Sequence, residues 1–331
     1  MNISPKENYI RALRHEKIAY IPLRSDSINF CPRIFPENVC RGWVEEKEKY
    51  TGPMGGKDMF GVEWIYMPEV GGSMVKPGNP TLRDISEWKE KLVFPDIETW
   101  DWEGCARENN EYLNSSGKFV ETWIFTGLFE RLISLLEFEN AAMTMVDEDC
   151  EEDLAAFFQA LTDLYCRMIV KIHETFPAVN AIYFHDDWGS QMAPFFSPAV
   201  CEEKLAPWLK KVVDCCHENG LFFDFHCCGK SEKLAPIMVA CGVDSWCGQE
   251  LNDKVALTKT YGDKMVIGRY DPFSYGGKIP ADDEGLYAQI NQFLAPLKDT
   301  AREKYFFIAD MSRDPRVIRA YREITSKWFE D

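Results

Sequence analysis

The chain has 331 residues, 46% of them hydrophobic and 14% aromatic, enough to bury one large core. Lys and Arg number 37 against 54 Asp and Glu, a net charge of −17, with no basic patch to neutralise phosphates. Nucleic acid and anionic membranes are not expected as partners, and no apolar run approaches the ~20 residues of a membrane span.

The opening Met1-Asn2-Ile3-Ser4-Pro5-Lys6-Glu7-Asn8 lacks the apolar core of a signal peptide. The twelve cysteines, most of them inside apolar patterns, then read as buried reduced thiols. A reducing cytoplasm is the expected location, in keeping with anaerobic metabolism.

In chain order, residues 18–25 form the first strand candidate. Residues 26–117 are rich in Pro, Gly and Trp with weak periodicity, and read as an N-terminal excursion decorating the main fold. From about residue 118, short apolar runs alternate with longer amphipathic ones. The strand candidates are 118–125, 181–187, 221–228, 243–250, 264–271 and 305–311. Helical spacing is clearest over 150–176, where Leu154, Phe157, Phe158, Leu161, Leu164, Tyr165, Met168 and Ile172 recur. Further helices are expected over 198–219, 231–241, 252–261, 283–298 and 315–329. This rhythm implies a parallel sheet. Seven strand candidates in one series favour a single (β/α)8 TIM barrel spanning 1–331, with one strand missed or irregular.

Active sites of such barrels sit at the C-terminal ends of the strands. Those ends read His185-Asp186-Asp187, His226-Cys227-Cys228, Gln249-Glu250, Tyr270-Asp271 and Asp310-Met311-Ser312-Arg313. Alternate residues of a strand share a face, so His226 and Cys228 point one way, and Cys227 the other with Phe223 and Phe225. An imidazole and a thiolate converging there suit zinc, which binds both at about 2.0–2.3 Å. A core histidine beside a buried thiol is the plainer alternative. His185 and Asp187 share a face too, as a general acid or base pair, a substrate holder, or a hydrogen bond closing the turn at Gly189. Gln191 carries the same ambiguity. Tyr270 and Asp271 lead into Gly276-Gly277-Lys278, a substrate-contacting loop or a plain connection.

At these residues the chain resembles the uroporphyrinogen decarboxylase superfamily, nearly end to end. The resemblance is carried by Lys6-Glu7-Asn8-Tyr9-Ile10-Arg11-Ala12-Leu13-Arg14-His15-Glu16 and by Asp186-Asp187-Trp188-Gly189-Ser190-Gln191 with Phe196-Ser197-Pro198. It continues through Phe225-His226-Cys227-Cys228-Gly229 and Cys241-Gly242-Val243-Asp244. The region around Ile21-Pro22-Leu23-Arg24-Ser25-Asp26 has only one arginine, too few for a substrate bearing eight carboxylates. The resemblance is therefore closest to the corrinoid-dependent methyltransferases. It implies a zinc enzyme moving a methyl group between a small methylated substrate and methylcobalamin on a separate corrinoid protein, since no corrinoid-binding domain is evident.

By the same resemblance Glu250, one strand after His226, is the third zinc ligand. Its alternative is a loop carboxylate or a cap for the helix starting near Asn252. The family's final cysteine is absent, because no cysteine follows Cys247. Asp310 is the replacement ligand unless it pairs with Arg313; Cys247, water or substrate are the other choices. A site with one thiolate and carboxylates is hard, and favours methoxy or methylamine-type substrates over thiolate generation. A metal-free decarboxylase or lyase and a non-catalytic binder remain the rival readings, and a homodimer stays open.

Overall fold

The computed structural model describes residues 3–69, 71–310 and 314–330. Helix α1 (Pro5–Leu13) precedes β1 (Ser27–Phe30). The excursion holds α2 (Pro36–Cys40), β2 (Gly56–Lys57), β3 (Glu63–Met67), β4 (Gly72–Val75), α3 (Trp88–Lys91) and α4 (Trp102–Ser115). Then come β5 (Phe119–Ile124), α5 (Leu128–Leu136), α6 (Phe138–Thr144), α7 (Glu151–Thr175) and β6 (Val179–His185). They are followed by α8 (Pro198–Lys204), α9 (Ala206–Glu218), β7 (Phe222–Cys227), α10 (Ala235–Cys241) and β8 (Ser245–Gly248). The chain closes with α11 (Lys254–Tyr261), β9 (Val266–Tyr270), α12 (Asp283–Leu294), α13 (Lys298–Arg302), β10 (Phe307–Asp310) and α14 (Pro315–Ser326).

Seven strands, β1-β5-β6-β7-β8-β9-β10, form one parallel sheet with helices around it. This is the barrel-like α/β architecture that the sequence implies, although the expected eighth strand is not found among the described residues. The reason lies at the first strand. Residues 18–25 do not run straight: Asp26 accepts a hydrogen bond from Leu23 N, and the chain kinks over Arg24–Asp26. One residue before the kink, Leu23, bridges Ala309 of β10; β1 after the kink pairs with β5. The first strand therefore lies inside the segment expected to be excursion.

The helix expected over 198–219 is split into α8 and α9, because Pro207 in the first turn of α9 has no N–H for a continuous ladder. Helix α4 and the small antiparallel sheet β2-β3-β4 were not expected. Among the described residues no helix is long and apolar enough to cross a membrane.

The excursion is anchored to α5 by a buried ion cluster. The Arg131 guanidinium, wholly buried, pairs with Glu37 at 2.7 Å and with Asp58. Asp58 also accepts from Phe60 N, Val62 N and Trp64 Nε1. Replacing Arg131 with Met leaves two buried carboxylates uncompensated. Equilibrium urea unfolding is expected to show a loss of about 3–5 kcal/mol, the usual cost of breaking a buried pair from one side.

Candidate metal centre

Strands β6 and β7 pair in register, Tyr183 with Asp224 and His185 with His226. Because alternate side chains share a face, the inward row of β6 continues to Asp187 and that of β7 to Cys228. The result is a four-residue cluster. Ligand atoms of His185, Asp187, His226 and Cys228 all lie within 4.8 Å of one another. The two imidazoles stack at 4.5 Å and 19°. His226 Nε2 lies 3.1 Å from Cys228 Sγ, and Cys228 N donates to Asp187 Oδ1 at 2.6 Å.

The turn after β7 fixes this geometry. Gly229 has φ +81°, and a Cβ there would fall 2.1 Å from Gly189 O, so only glycine lets the two loops close together. The residues between the inward ones do other work. Asp186 faces outward and accepts from Phe129 N, Glu130 N and Trp188 Nε1, capping α5. Cys227 is packed beneath Trp188 N and Ser231, as its parity requires.

Each histidine is held from behind. His185 Nδ1 meets Glu130 Oε2 at 2.6 Å, and Glu130 in turn pairs with Arg41 at 3.3 Å. His226 Nδ1 meets the Tyr183 hydroxyl at 2.6 Å. Holding Nδ1 leaves Nε2 turned to the cluster, the arrangement by which outer partners orient metal-binding imidazoles. Burial, followed by the neighbouring His185, pushes the His226 pKa down to about 3, keeping the ring neutral. Burial would lower His185 too, but Glu130 and Asp187 outweigh it and raise its pKa. Burial opposes ionisation of Asp187, yet His185, His226 and the Cys228 N–H hold its pKa below the ordinary value. Burial and then Asp187 push the Cys228 thiol well up. A divalent cation among these donors would supply the positive charge a Cys228 thiolate needs.

Two nitrogens, one sulfur and one oxygen form a donor set that zinc accepts. Of the expected ligands, His226 and Cys228 are in the cluster, joined by His185 and Asp187. Glu250 is not. Its carboxylate accepts from Tyr270 N at 2.8 Å, tying the end of β8 to β9. Parity explains this: Cys247 and Gln249 fall on the inward row of β8, so Glu250 falls on the other side. Gln249 instead reaches the site, accepting from Gly229 N at 3.0 Å and from Gln191 Nε2 at 3.1 Å. The Asp310 side chain, Met311, Ser312 and Arg313 lie outside the described residues.

Tyr270 ends the inward row of β9, its hydroxyl 3.8 Å from Cys247 Sγ. Asp271 is buried and accepts from Phe273 N, Ser274 N and Ser274 Oγ, so it braces the loop the sequence suggested for substrate contact. The aromatic surface near the cluster comes from residues not singled out in the sequence. Trp123 stacks on Tyr183 at 4.1 Å, and Trp43 on Trp123 at 5.3 Å. Trp100 and Trp102 pack against Phe35. A cavity of about 590 Å³ lined by Arg24, Asn29, Lys47 and Lys118 holds none of the cluster residues. Tyr183 was legible, two residues before His185 on one strand; Glu130, on a helix, carried no such signal.

No family model and no curated protein matches the sequence. Among solved structures, a methyltransferase from Methanosarcina mazei superposes at TM-score 0.65, covering 98% of this chain and 99% of its own, with 13% sequence identity. The 3-keto-D-glucoside 4-epimerase from E. coli overlaps 69% of this chain and 85% of its own, at TM-score 0.34 and 13% identity. A xylose isomerase-like TIM barrel protein from Mycobacterium smegmatis, in complex with magnesium, overlaps 72% and 81% at TM-score 0.35 and 10% identity. The first match shows a shared fold along the whole chain.

Glu130 is the carboxylate that most raises the His185 pKa. In Glu130→Gln the imidazole should therefore titrate at lower pH than in the parent, followed by NMR of the ring protons. An unchanged titration would remove Glu130 from this role.

Proposed function

We propose that the chain is a zinc-dependent methyltransferase of the uroporphyrinogen decarboxylase superfamily. It moves a methyl group between a small methoxy or methylamine-type substrate and the cobalt of a separate corrinoid protein. The observation that carries this reading is the convergence of His185, Asp187, His226 and Cys228 at the C-terminal ends of β6 and β7. The shared fold with a methyltransferase and the motif resemblance support it.

In this reading His185, His226 and Cys228 would hold the metal, a set of nitrogen and sulfur donors that zinc accepts. Bound zinc supplies Lewis acidity toward the oxygen or nitrogen that parts from the methyl group. Asp187, beside these three, would orient the polar atom of the substrate and take or return its proton. Tyr183 and Glu130 keep the two imidazoles from turning. Gln191 and Gln249, hydrogen-bonded over the Cys228–Gly229 turn, provide amide groups at the rim. Trp43 and Trp123 give the methylated substrate an apolar wall.

Elemental analysis with methyl transfer to reduced cobalamin tests the assignment. The parent should carry one zinc per chain; His226→Ala and Cys228→Ser should lose it, and His185→Ala should retain it poorly. Asp187→Asn should keep the metal and lose at least about a hundredfold in transfer rate, the scale of a general acid or base. Glu250→Gln should change neither. Stoichiometric zinc surviving both His226→Ala and Cys228→Ser would sink this site. Metal-free parent protein that releases carbon dioxide from a carboxylated substrate would favour the lyase reading.

A further inference from the structure

Helices α7 and α9 lie side by side, and their seam carries two cysteines that the metal centre does not use. On α9, Leu209, Val212, Val213 and Cys216 are buried, which puts Cys215 at the edge of that face. On α7, Cys166 lies between buried Tyr165 and exposed Arg167. Both thiols are half-exposed, whereas Cys201, Cys216, Cys227, Cys241 and Cys247 are buried.

The contacts across the seam are reciprocal. Cys215 Sγ lies 3.7 Å from Cys166 O, and Cys166 Sγ lies 4.0 Å from Lys211 O, one turn before Cys215. Each sulfur therefore sits over the turn that bears the other. Lys211 Nζ also crosses the seam to Gln159 Oε1 at 2.5 Å, and at the end of α9 Asn219 Nδ2 donates to Cys215 O at 2.8 Å.

We propose that Cys166 and Cys215 are a reversible oxidation site, closing into a disulfide that staples α7 to α9 when the protein meets a hydroperoxide. Cys215 is the attacking sulfur, since the Cys166 side chain beside it lowers its pKa while the Cys166 thiol is raised. Its thiolate takes the distal peroxide oxygen; the O–O bond breaks and the alcohol or water leaves with a proton. The sulfur of Cys166 then attacks the Cys215 sulfenic acid, the S–O bond breaks, and water departs with the Cys166 proton. Two thiols and one hydroperoxide give one disulfide, one alcohol or water, and one further water. The pair offers oxidants a reversible target on the outer helices, apart from Cys228.

The test exposes the purified holoprotein to stepwise hydrogen peroxide, blocks free thiols with iodoacetamide, and maps linked peptides by mass spectrometry with and without dithiothreitol. A reducible Cys166–Cys215 link should form, absent in Cys166→Ser and in Cys215→Ser. In Cys166→Ser, Cys215 should proceed to the sulfinic acid, having no resolving partner. The melting temperature of the oxidised parent should rise by roughly 5 °C and revert on reduction, as closing a long loop predicts. If both thiols stay alkylatable while other cysteines oxidise, or if Cys215 links to Cys216 instead, the proposal is wrong.

Discussion

The in-register pairing of His185 with His226 is the constraint on which the cluster depends. Parallel strands carry side chains with a period of two, so one matched pair fixes which face every neighbour occupies. Given that pair, Asp187 and Cys228 must follow on the same face. A slip of one residue in either strand would turn Asp186 or Cys227 inward and carry that strand's cluster donors to the helix side. The slip is blocked from both sides. Phe223, Phe225 and Cys227 are wholly buried on the outward face, and Gly229 leaves no room for any other approach of the Gly189 loop.

Strand register places the donors; helices and the excursion aim them. Asp186 caps the first turn of α5, which brings Glu130 behind His185. Arg41, next to α2 in the excursion, pairs with Glu130 and lies over Trp64 and Phe125. Arg131 ties the same excursion to α5 through Glu37 and Asp58. Residues that read as decoration in the sequence thus set the charge behind one of the two imidazoles. A barrel stripped of that segment would retain four donors and lose part of the field that orients them.

Much of this was legible in the sequence because it follows from period alone. Helix α7 announced itself by its apolar stripe and runs within a residue of its expected ends. His226 and Cys228 were placed on one face by counting. The resemblance, not the count, misplaces Glu250: its parity opposes Cys247, and the structure follows parity and gives Gln249 the inward place. Glu130 and Arg41 were hidden for a different reason, since a contact between elements distant in sequence leaves no periodic trace. The kink at Arg24–Asp26 was hidden too, because it rests on a hydrogen bond from Leu23 N to the Asp26 carboxylate that an apolar run does not reveal. In α4, the buried Trp102, Cys105, Asn109 and Leu113 do keep helical spacing, but they lie thinly among the polar residues of that stretch.

The barrel interior beneath the cluster bears on what the site can bind. Tyr9 stacks on Phe119 at 4.4 Å, and Phe119 meets Phe222 at 6.2 Å, forming an aromatic floor. Above it Arg24 binds both oxygens of Glu121 at 2.9 Å and Asp224 Oδ2 at 2.9 Å. The next layer is Tyr183 and Trp123, and only then come the imidazoles. Such layering is a packed core, so a ligand of the cluster would reach it from the C-terminal rim. It also settles the use of the one arginine in the segment where a porphyrinogen decarboxylase would hold its carboxylates. That guanidinium is buried beneath the site and already faces two carboxylates, so recruiting a third anion would mean breaking a buried ion pair. Among the described residues, the rim beside the cluster presents the amides of Gln191 and Gln249, the rings of Trp43 and Trp123, and a candidate metal site.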